Sequence, residues 1–209
     1  MKTAFSDITG VVLAGGKSRR MGRDKRFLDL EGTVLMERVC AVVEPLFPEV
    51  LLSVAEAIPQ LERLPYRLVV DEMADCATLG GLYTALSASN YPRIFAVGCD
   101  MPFITEDSIR QLVAMNEEYD IVMAELTTGL QPMHAVYSKA CLPIMRRMIE
   151  DKNLKIQALV QNPGVRIKLV NEAQLATWKD QLLPFFNINT PSDLELARKL
   201  LGASRSGSK

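Results

Sequence analysis

Three short apolar runs end on residues suited to holding a charged ligand, and that pattern limits the folds open to the chain. Ile8–Leu13 runs into Ala14-Gly15-Gly16, Arg67–Val70 into Asp71, and Arg93–Gly98 into Cys99-Asp100. Such runs, bounded by turn formers, read as buried strands. Helical spacing appears between them: Val34, Leu35, Val39, Val42, Val43 and Leu46 mark a helix over 33–47, with Thr33 as its expected N-cap. Leu79-Gly80-Gly81-Leu82 opens a second helix after Asp71, and Thr105 starts a third. Further strands are expected over 50–54, 120–124, 131–138 and 165–170. Helical stretches are expected over 139–150 and on to 161. Thr190-Pro191-Ser192-Asp193 opens a last helix, with proline at the first helical position after a threonine cap. Strand–helix alternation with continuously apolar strands predicts an α/β, three-layer fold: a mainly parallel sheet with helices on both faces. In such sheets ligands bind at the carboxyl ends of the strands. The glycine loop, Asp71 and Asp100 all fall there.

The loop after the first run is crowded with cations. Lys17, Arg19, Arg20, Arg23, Lys25 and Arg26 face one acid, Asp24. Because the whole chain carries a net charge of −1, this is a local concentration rather than a sample of a basic protein. The same near-neutrality argues against nucleic-acid binding by bulk electrostatics. Glycines let backbone N–H groups approach a ligand closely, and lysine and arginine supply charge, so the loop reads as a place for phosphates. It is not a P-loop: the Gly-Lys-Ser at 16–18 would need a glycine at Val11. Nor is there a third glycine at the offset a dinucleotide fingerprint requires.

At 209 residues the chain is expected to form one domain over 1–201, with the small, polar stretch 202–209 as a flexible tail. Cys40, Cys76, Cys99 and Cys141 lie far apart, without a metal-ligand spacing, and read as reduced thiols. No apolar run approaches the roughly 18 residues of a membrane span, and no signal-peptide core precedes the glycines. A cytoplasmic protein is expected.

The stretch Leu-Ala-Gly-Gly-x-Ser-x-Arg-Met-Gly-x-Asp-Lys, Leu13 to Lys25, resembles the signature loop of nucleotidyltransferases, most closely that of the molybdenum cofactor guanylyltransferases. Three later stretches agree in order and spacing. Cys99-Asp100-Met101-Pro102-Phe103 is similar to the family's metal-binding segment, and Gln131 to Tyr137 to its middle strand. Phe186-Asn187-Ile188-Asn189-Thr190-Pro191-Ser192-Asp193-Leu194 is similar to its closing motif. The chain departs from the family at Ala77-Thr78, where a Gly-Pro usually precedes the Leu79-Gly80-Gly81 that follows.

The resemblance implies a Rossmann-like nucleotidyltransferase fold and transfer of GMP from GTP to the terminal phosphate of Mo-molybdopterin, with pyrophosphate leaving. Its implied nucleotide contacts are Leu13, Ala14, Gly15, Gly16, Lys17, Arg19, Gly22, Lys25, Ser53, Asp71, Gly80, Gly81 and Asp100. Lys25 and Arg20 or Arg19 would offset charge on the leaving pyrophosphate, and Asp100 would hold Mg2+. Asn187 and Asn189, two apart on an extended segment, would point the same way, toward nucleotide or pterin; the alternative is backbone bonding in the turn before the last helix. Ser53 stands where the family often has an asparagine on the base, so that contact is weakened or lost. Asp71 is either a ribose or base contact or a turn residue. His134, the sole histidine, reads as a packed, hydrogen-bonded core residue rather than a catalyst.

The resemblance implies Leu-Ala-Ala-Gly for a cytidylyltransferase acting on the same pterin, whereas this chain has Leu13-Ala14-Gly15-Gly16, and the paired glycines favour the purine. A sugar-phosphate nucleotidyltransferase and a non-catalytic nucleotide-binding regulator are the other readings. Expected partners are the small-molecule substrates, other molybdenum cofactor biosynthesis proteins and recipient molybdoenzymes, with no nucleic acid and no membrane.

Overall fold

A computed structural model describes residues 5–15, 24–73, 75–178 and 181–206, with backbone alone over 203–206. Strand β1 (Ile8–Leu13) is followed by a single 3-10 turn, Lys25–Phe27, and a small hairpin of β2 (Asp29–Leu30) and β3 (Thr33–Val34). Then come α1 (Leu35–Val43), β4 (Glu49–Val54), β5 (Arg67–Val70), α2 (Ala77–Ala88), β6 (Arg93–Gly98) and α3 (Glu106–Val113). The second half runs β7 (Ile121–Leu126), β8 (Gly129–Ser138), α4 (Leu142–Glu150), α5 (Ile156–Val160), β9 (Ile167–Asn171), α6 (Glu172–Leu175) and α7 (Pro191–Ser206). Helix α7 thus takes in the first part of 202–209, the stretch read as a tail.

Seven strands form one sheet in the order β5-β4-β1-β6-β8-β7-β9. Only β8 runs against its neighbours, so the sheet is mainly parallel, as expected. Alternate side chains enter two separate cores. Ile8, Val12, Leu52, Phe95 and Val97 face α1 and α3, whereas Val11, Leu13, Leu51, Ile94 and Ala96 face α2 and α4. This is the three-layer arrangement that continuously apolar strands require. At Gly10 an added Cβ would lie 2.6 Å from Val43 and 2.8 Å from Phe47, so α1 and the segment after it settle directly on the β1 backbone.

One local expectation fails. Thr33 does not cap α1; it pairs with Leu30 across a two-residue turn in which Glu31 and Gly32 both have positive φ, 57° and 81°. That is the turn geometry a tight hairpin requires. Pairing holds Thr33 extended two residues before the helix, and Val34 at the cap position offers no side-chain bond. The other two caps hold. Thr105 and Ser108 form a reciprocal capping box on α3, and Thr190 accepts from the Asp193 N–H while the Asp193 carboxylate accepts from Thr190 N–H.

His134 on β8 is fully buried between Phe95, with ring centroids 5.5 Å apart, and Phe185, at 4.5 Å. The expectation of packing holds. For hydrogen bonding the Pro184 carbonyl faces the ring but falls outside full bonding geometry, so that contact is weak. Burial drives the imidazole pKa down to about 3, and Pro184 only partly opposes this. The unfolded chain takes up a proton below the ordinary value of about 6.5 and the folded chain does not. Stability from this residue is therefore complete above pH 6.5. It falls by up to about 1.4 kcal/mol per pH unit as the pH drops toward the folded value. Unfolding of wild type and His134→Leu, measured from pH 7 to pH 4, is expected to show a shallower acid loss in the variant; parallel profiles would show that His134 does not contribute.

Candidate functional site

The strand order reverses beside β1. The chain places β4 and β5 to one side of it, then crosses to put β6 on the other. In an open parallel sheet such a reversal leaves a crevice outside the carboxyl ends of the two strands. Here those ends are held in step: Cys99 N–H donates to the Leu13 carbonyl at 3.1 Å, and Ala14 N–H to the Ser53 carbonyl at 2.8 Å. Ala14 and Gly15, just past β1, therefore stand beside Cys99 and Asp100, just past β6.

Lys25 reaches into this crevice. Its Nζ donates to Asn189 Oδ1 at 2.7 Å and to Asp100 Oδ2 at 3.3 Å, so residues from three distant parts of the chain meet at one ammonium. Lys25 and Asp100 are 16% and 23% exposed, a partly sheltered setting that strengthens their attraction. Backbone chemistry fixes the pair's surroundings. Ile188 N–H donates to the Asp100 carbonyl at 2.9 Å, which carries the closing segment to the site. Buried Ile188 leaves Asn187 and Asn189 on the outer side of that extended segment. They are used differently: Asn189 meets Lys25, whereas the Asn187 amide donates to the Phe185 carbonyl. The Asn189 N–H bonds the Asp193 carboxylate, and this bond leads the lowering of the Asp193 pKa, with Thr190 and the Lys25 charge adding to it against desolvation. Gly98 is needed beside this group, because a Cβ there would lie 2.6 Å from Asp100 Oδ1.

The remaining expected residues line the same edge of the sheet. Asp71 follows β5, with its N–H bonded to Val54. Its Oδ1 accepts from Met73 N–H at 2.9 Å and from the Thr84 hydroxyl at 3.0 Å. Its Oδ2 lies 3.0 Å from where a Cβ on Gly80 would stand, so that glycine lets the carboxylate settle against α2. Ser53 is 2% exposed and directs its hydroxyl to the Gly81 carbonyl at 3.3 Å, which joins β4 to α2. Gly16, Lys17, Arg19, Arg20 and Gly22 lie outside the described residues.

Thr84 joins the site without a motif of its own. Thr84 is one helical turn after Gly80, the spacing that places both before Asp71. Arg26 had been counted among the phosphate-facing cations. Instead, its Nε donates to both Asp24 oxygens, at 2.8 and 3.0 Å, and Nη1 donates to the Ala14 carbonyl at 3.1 Å. The signal was present as an acid two residues before an arginine, at the entrance to a tight turn. Buried thiols take no part: burial pushes Cys40 and Cys141 up to about 12, far from the thiolate a nucleophile needs.

Two side-chain oxygens here are of the kind a small hard cation takes. Asp100 Oδ2 and Asn189 Oδ1 converge on one positively charged nitrogen, a donor set of the kind that magnesium shares with substrate phosphates. Among the described residues no cluster of three or more acidic, histidine or cysteine side chains forms an all-protein metal cage.

The departure at residue 77 has a conformational counterpart. Ala77 adopts φ = 49° at the start of α2, and Asp75 adopts φ = 62°. Glycine occupies this left-handed region freely, whereas a Cβ there costs about 1–2 kcal/mol.

Comparison with known proteins places these features in context. The MobA-like NTP transferase domain matches residues 10–166. A protein of Pelotomaculum thermopropionicum named "Probable molybdenum cofactor guanylyltransferase" is 37% identical over 95% of this chain and 96% of its own length. The "Molybdenum cofactor guanylyltransferase" of Desulfosudis oleivorans is 30% identical over 95% of this chain and 98% of its own. In structure, the molybdopterin-guanine dinucleotide biosynthesis protein A of Archaeoglobus fulgidus superposes with a TM-score of 0.83 at 23% identity, covering 93% of this chain and 99% of that one, which shows a shared fold.

Replacing Ala77 with glycine is expected to raise stability by about 1 kcal/mol, or roughly 2–4 °C in Tm for a chain of this size. A lower melting temperature in the Ala77→Gly protein would mean that the left-handed residue carries no strain.

Proposed function

Because the chain belongs to the MobA-like NTP transferase domain family, we propose that it is a GTP:molybdopterin guanylyltransferase, transferring GMP to the terminal phosphate of Mo-molybdopterin and releasing pyrophosphate. The observation that carries this reading is the meeting of Lys25, Asp100 and Asn189 at the crevice where the strand order reverses. Full-length relatives named for guanylyl transfer support the choice of donor and acceptor.

Nucleotidyl transfer brings two anions together. A terminal phosphate oxygen of the acceptor attacks the α-phosphorus of GTP, the bond to the β-phosphate oxygen breaks, and pyrophosphate departs with that electron pair. The protein's task is to neutralise charge and hold the groups in line. Backbone N–H groups from Gly15 onward hold the triphosphate, the Ala14 N–H being committed to the Ser53 carbonyl, and Lys25 offsets charge on the leaving pyrophosphate. Gly16, Lys17, Arg19, Arg20 and Gly22 belong to the same cradle in this proposal. Asp71 accepts from a ribose or base donor through Oδ2, its other oxygen being committed to Met73 and Thr84. Asp100 and Asn189 hold Mg2+, which when bound draws charge from the phosphate oxygens. Ser53, Gly80 and Gly81 shape the β4–α2 wall, and Asn187 anchors the closing segment through Phe185.

No covalent enzyme intermediate enters this scheme. The thiols of Cys40, Cys99 and Cys141 are buried, and neither nitrogen of the sole described histidine faces a partner it could deprotonate. Free cysteines and the absence, among the described residues, of a helix able to cross a membrane fit a cytoplasmic place of action. Its partners in this proposal are other proteins of molybdenum cofactor biosynthesis and recipient molybdoenzymes.

Pyrophosphate release in the presence of Mo-molybdopterin and magnesium is expected with GTP and not with CTP. The opposite preference would assign the chain to cytidylyl transfer instead. In the same assay Asp100→Asn should lower turnover by about 100-fold or more, since it removes the carboxylate proposed to hold the metal, while part of the GTP binding persists. Full activity in that variant would remove Asp100 from the chemistry.

A further inference from the structure

Lys25 can bridge Asp100 and Asn189 only if the turn that carries it is fixed at both flanks. Asp24 precedes that turn in an extended conformation, and its Oδ1 accepts from the Arg26 N–H at 3.0 Å, which caps the turn. The Arg26 side chain folds back onto the same carboxylate through Nε and Nη2 and, through Nη1, onto the Ala14 carbonyl just past β1. One guanidinium thus ties residue 14 to residue 24 across the base of the loop.

This geometry leaves Arg26 poorly placed to serve a phosphate. Its side chain is 14% exposed, and Nε, Nη1 and Nη2 are all committed within the protein. The ionisation of the pair agrees. Burial acts to raise the Asp24 pKa, but the hydrogen bonds and charge of Arg26 outweigh it and hold the carboxyl below its usual range. The Asp24 hydrogen bond in turn raises Arg26. A buried arginine in a fork on a carboxylate is a directional device, which lysine does not reproduce.

We propose that Asp24 and Arg26 form a clasp that positions Lys25, so that an acid and a base beside the phosphate loop act on the nucleotide only through their neighbour. The inference rests on the Mg-GTP reading for its functional consequence, but the clasp itself can be read without nucleotide.

Two readouts on Asp24→Asn, Arg26→Lys and wild type test it. In the first, Lys25 is modified with a trace of acetic anhydride and its labelling rate is followed by mass spectrometry. Both variants should label Lys25 several-fold faster than wild type, because its ammonium is no longer aligned on Asp100 and Asn189. Unchanged labelling, or loss of the folded circular dichroism spectrum, would overturn the positioning role.

In the second, binding of a fluorescent N-methylanthraniloyl GTP with magnesium is titrated. Removing an acid beside a phosphate site ordinarily tightens anion binding. The clasp predicts the opposite sign for Asp24→Asn, a weakening of about tenfold from misplacement of Lys25. The loss in Arg26→Lys should disappear when Lys25→Gln is already present, since the two then act as a unit. Tighter binding in Asp24→Asn, or additive losses in the double variant, would overturn the inference. A wild type that fails to bind Mg-GTP would overturn the functional reading instead, and the labelling result would still decide the clasp.

Discussion

With β4 pairing along one edge of β1 and β6 along the other, the chain has to cross over β1 between residues 54 and 93, and this crossing decides where anything can bind. In an open parallel sheet such a crossing leaves a crevice outside the carboxyl ends of the flanking strands, and Lys25, Asp100 and Asn189 meet there. The loop leaving β1 supplies Lys25, the turn leaving β6 supplies Asp100, and a hydrogen bond from Ile188 to Asp100 brings in the closing segment. Hydrophobic periodicity builds the two layers of core, but the location of the polar cluster follows from strand order alone.

Electrostatics sorts the cations by role. A loop with several lysines and arginines would repel itself and drift if all of them faced solvent. The one nearby acid captures one arginine in a buried fork, and the pair secures the base of the loop against the end of β1. Lys25, adjacent in sequence to both, is directed the other way. Neighbouring cations thus serve different partners, Arg26 the base of the loop and Lys25 the Asp100–Asn189 pair. A corresponding division occurs at Asp71, whose Oδ1 is bound to Met73 and Thr84 while Oδ2 stands at the gap left by Gly80.

Much of this was legible in the sequence because it rests on local signals. The apolar runs ending at Leu13, Val70 and Gly98 gave strands to the residue, and Thr105 and Thr190 announced their helices by capping chemistry. Asp100 stood out because it follows a buried strand and precedes Met-Pro, Lys25 because the signature-loop resemblance names it, and the structure brings the two side chains together. Other features depended on distant partners. Thr33 has the composition of a cap, yet a two-residue turn claims it for a strand pair first. The antiparallel insertion of β8 between β6 and β7 is a matter of sheet order, on which alternation says nothing. Arg26 looks like any loop cation until the Ala14 carbonyl is seen beneath it, and His134 looks fully hydrogen-bonded until its neighbours prove to be two phenylalanines and a weakly placed Pro184 carbonyl. The left-handed Ala77 is legible only as a departure from a family pattern; nothing in an alanine itself signals positive φ.

The bond between Lys25 and Asn189 spans 164 positions of sequence. A ribosome therefore makes the glycine loop, the parallel core and Asp100 well before it makes the oxygen on which Lys25 rests. At a synthesis rate of roughly 5–20 residues per second, that interval lasts on the order of ten seconds. Throughout it the nascent chain can bury its first strands but cannot complete the cluster. The Asn189 contact comes from a segment made after every described strand, so a chain broken off just before residue 187 would hold all of those strands and lack that contact.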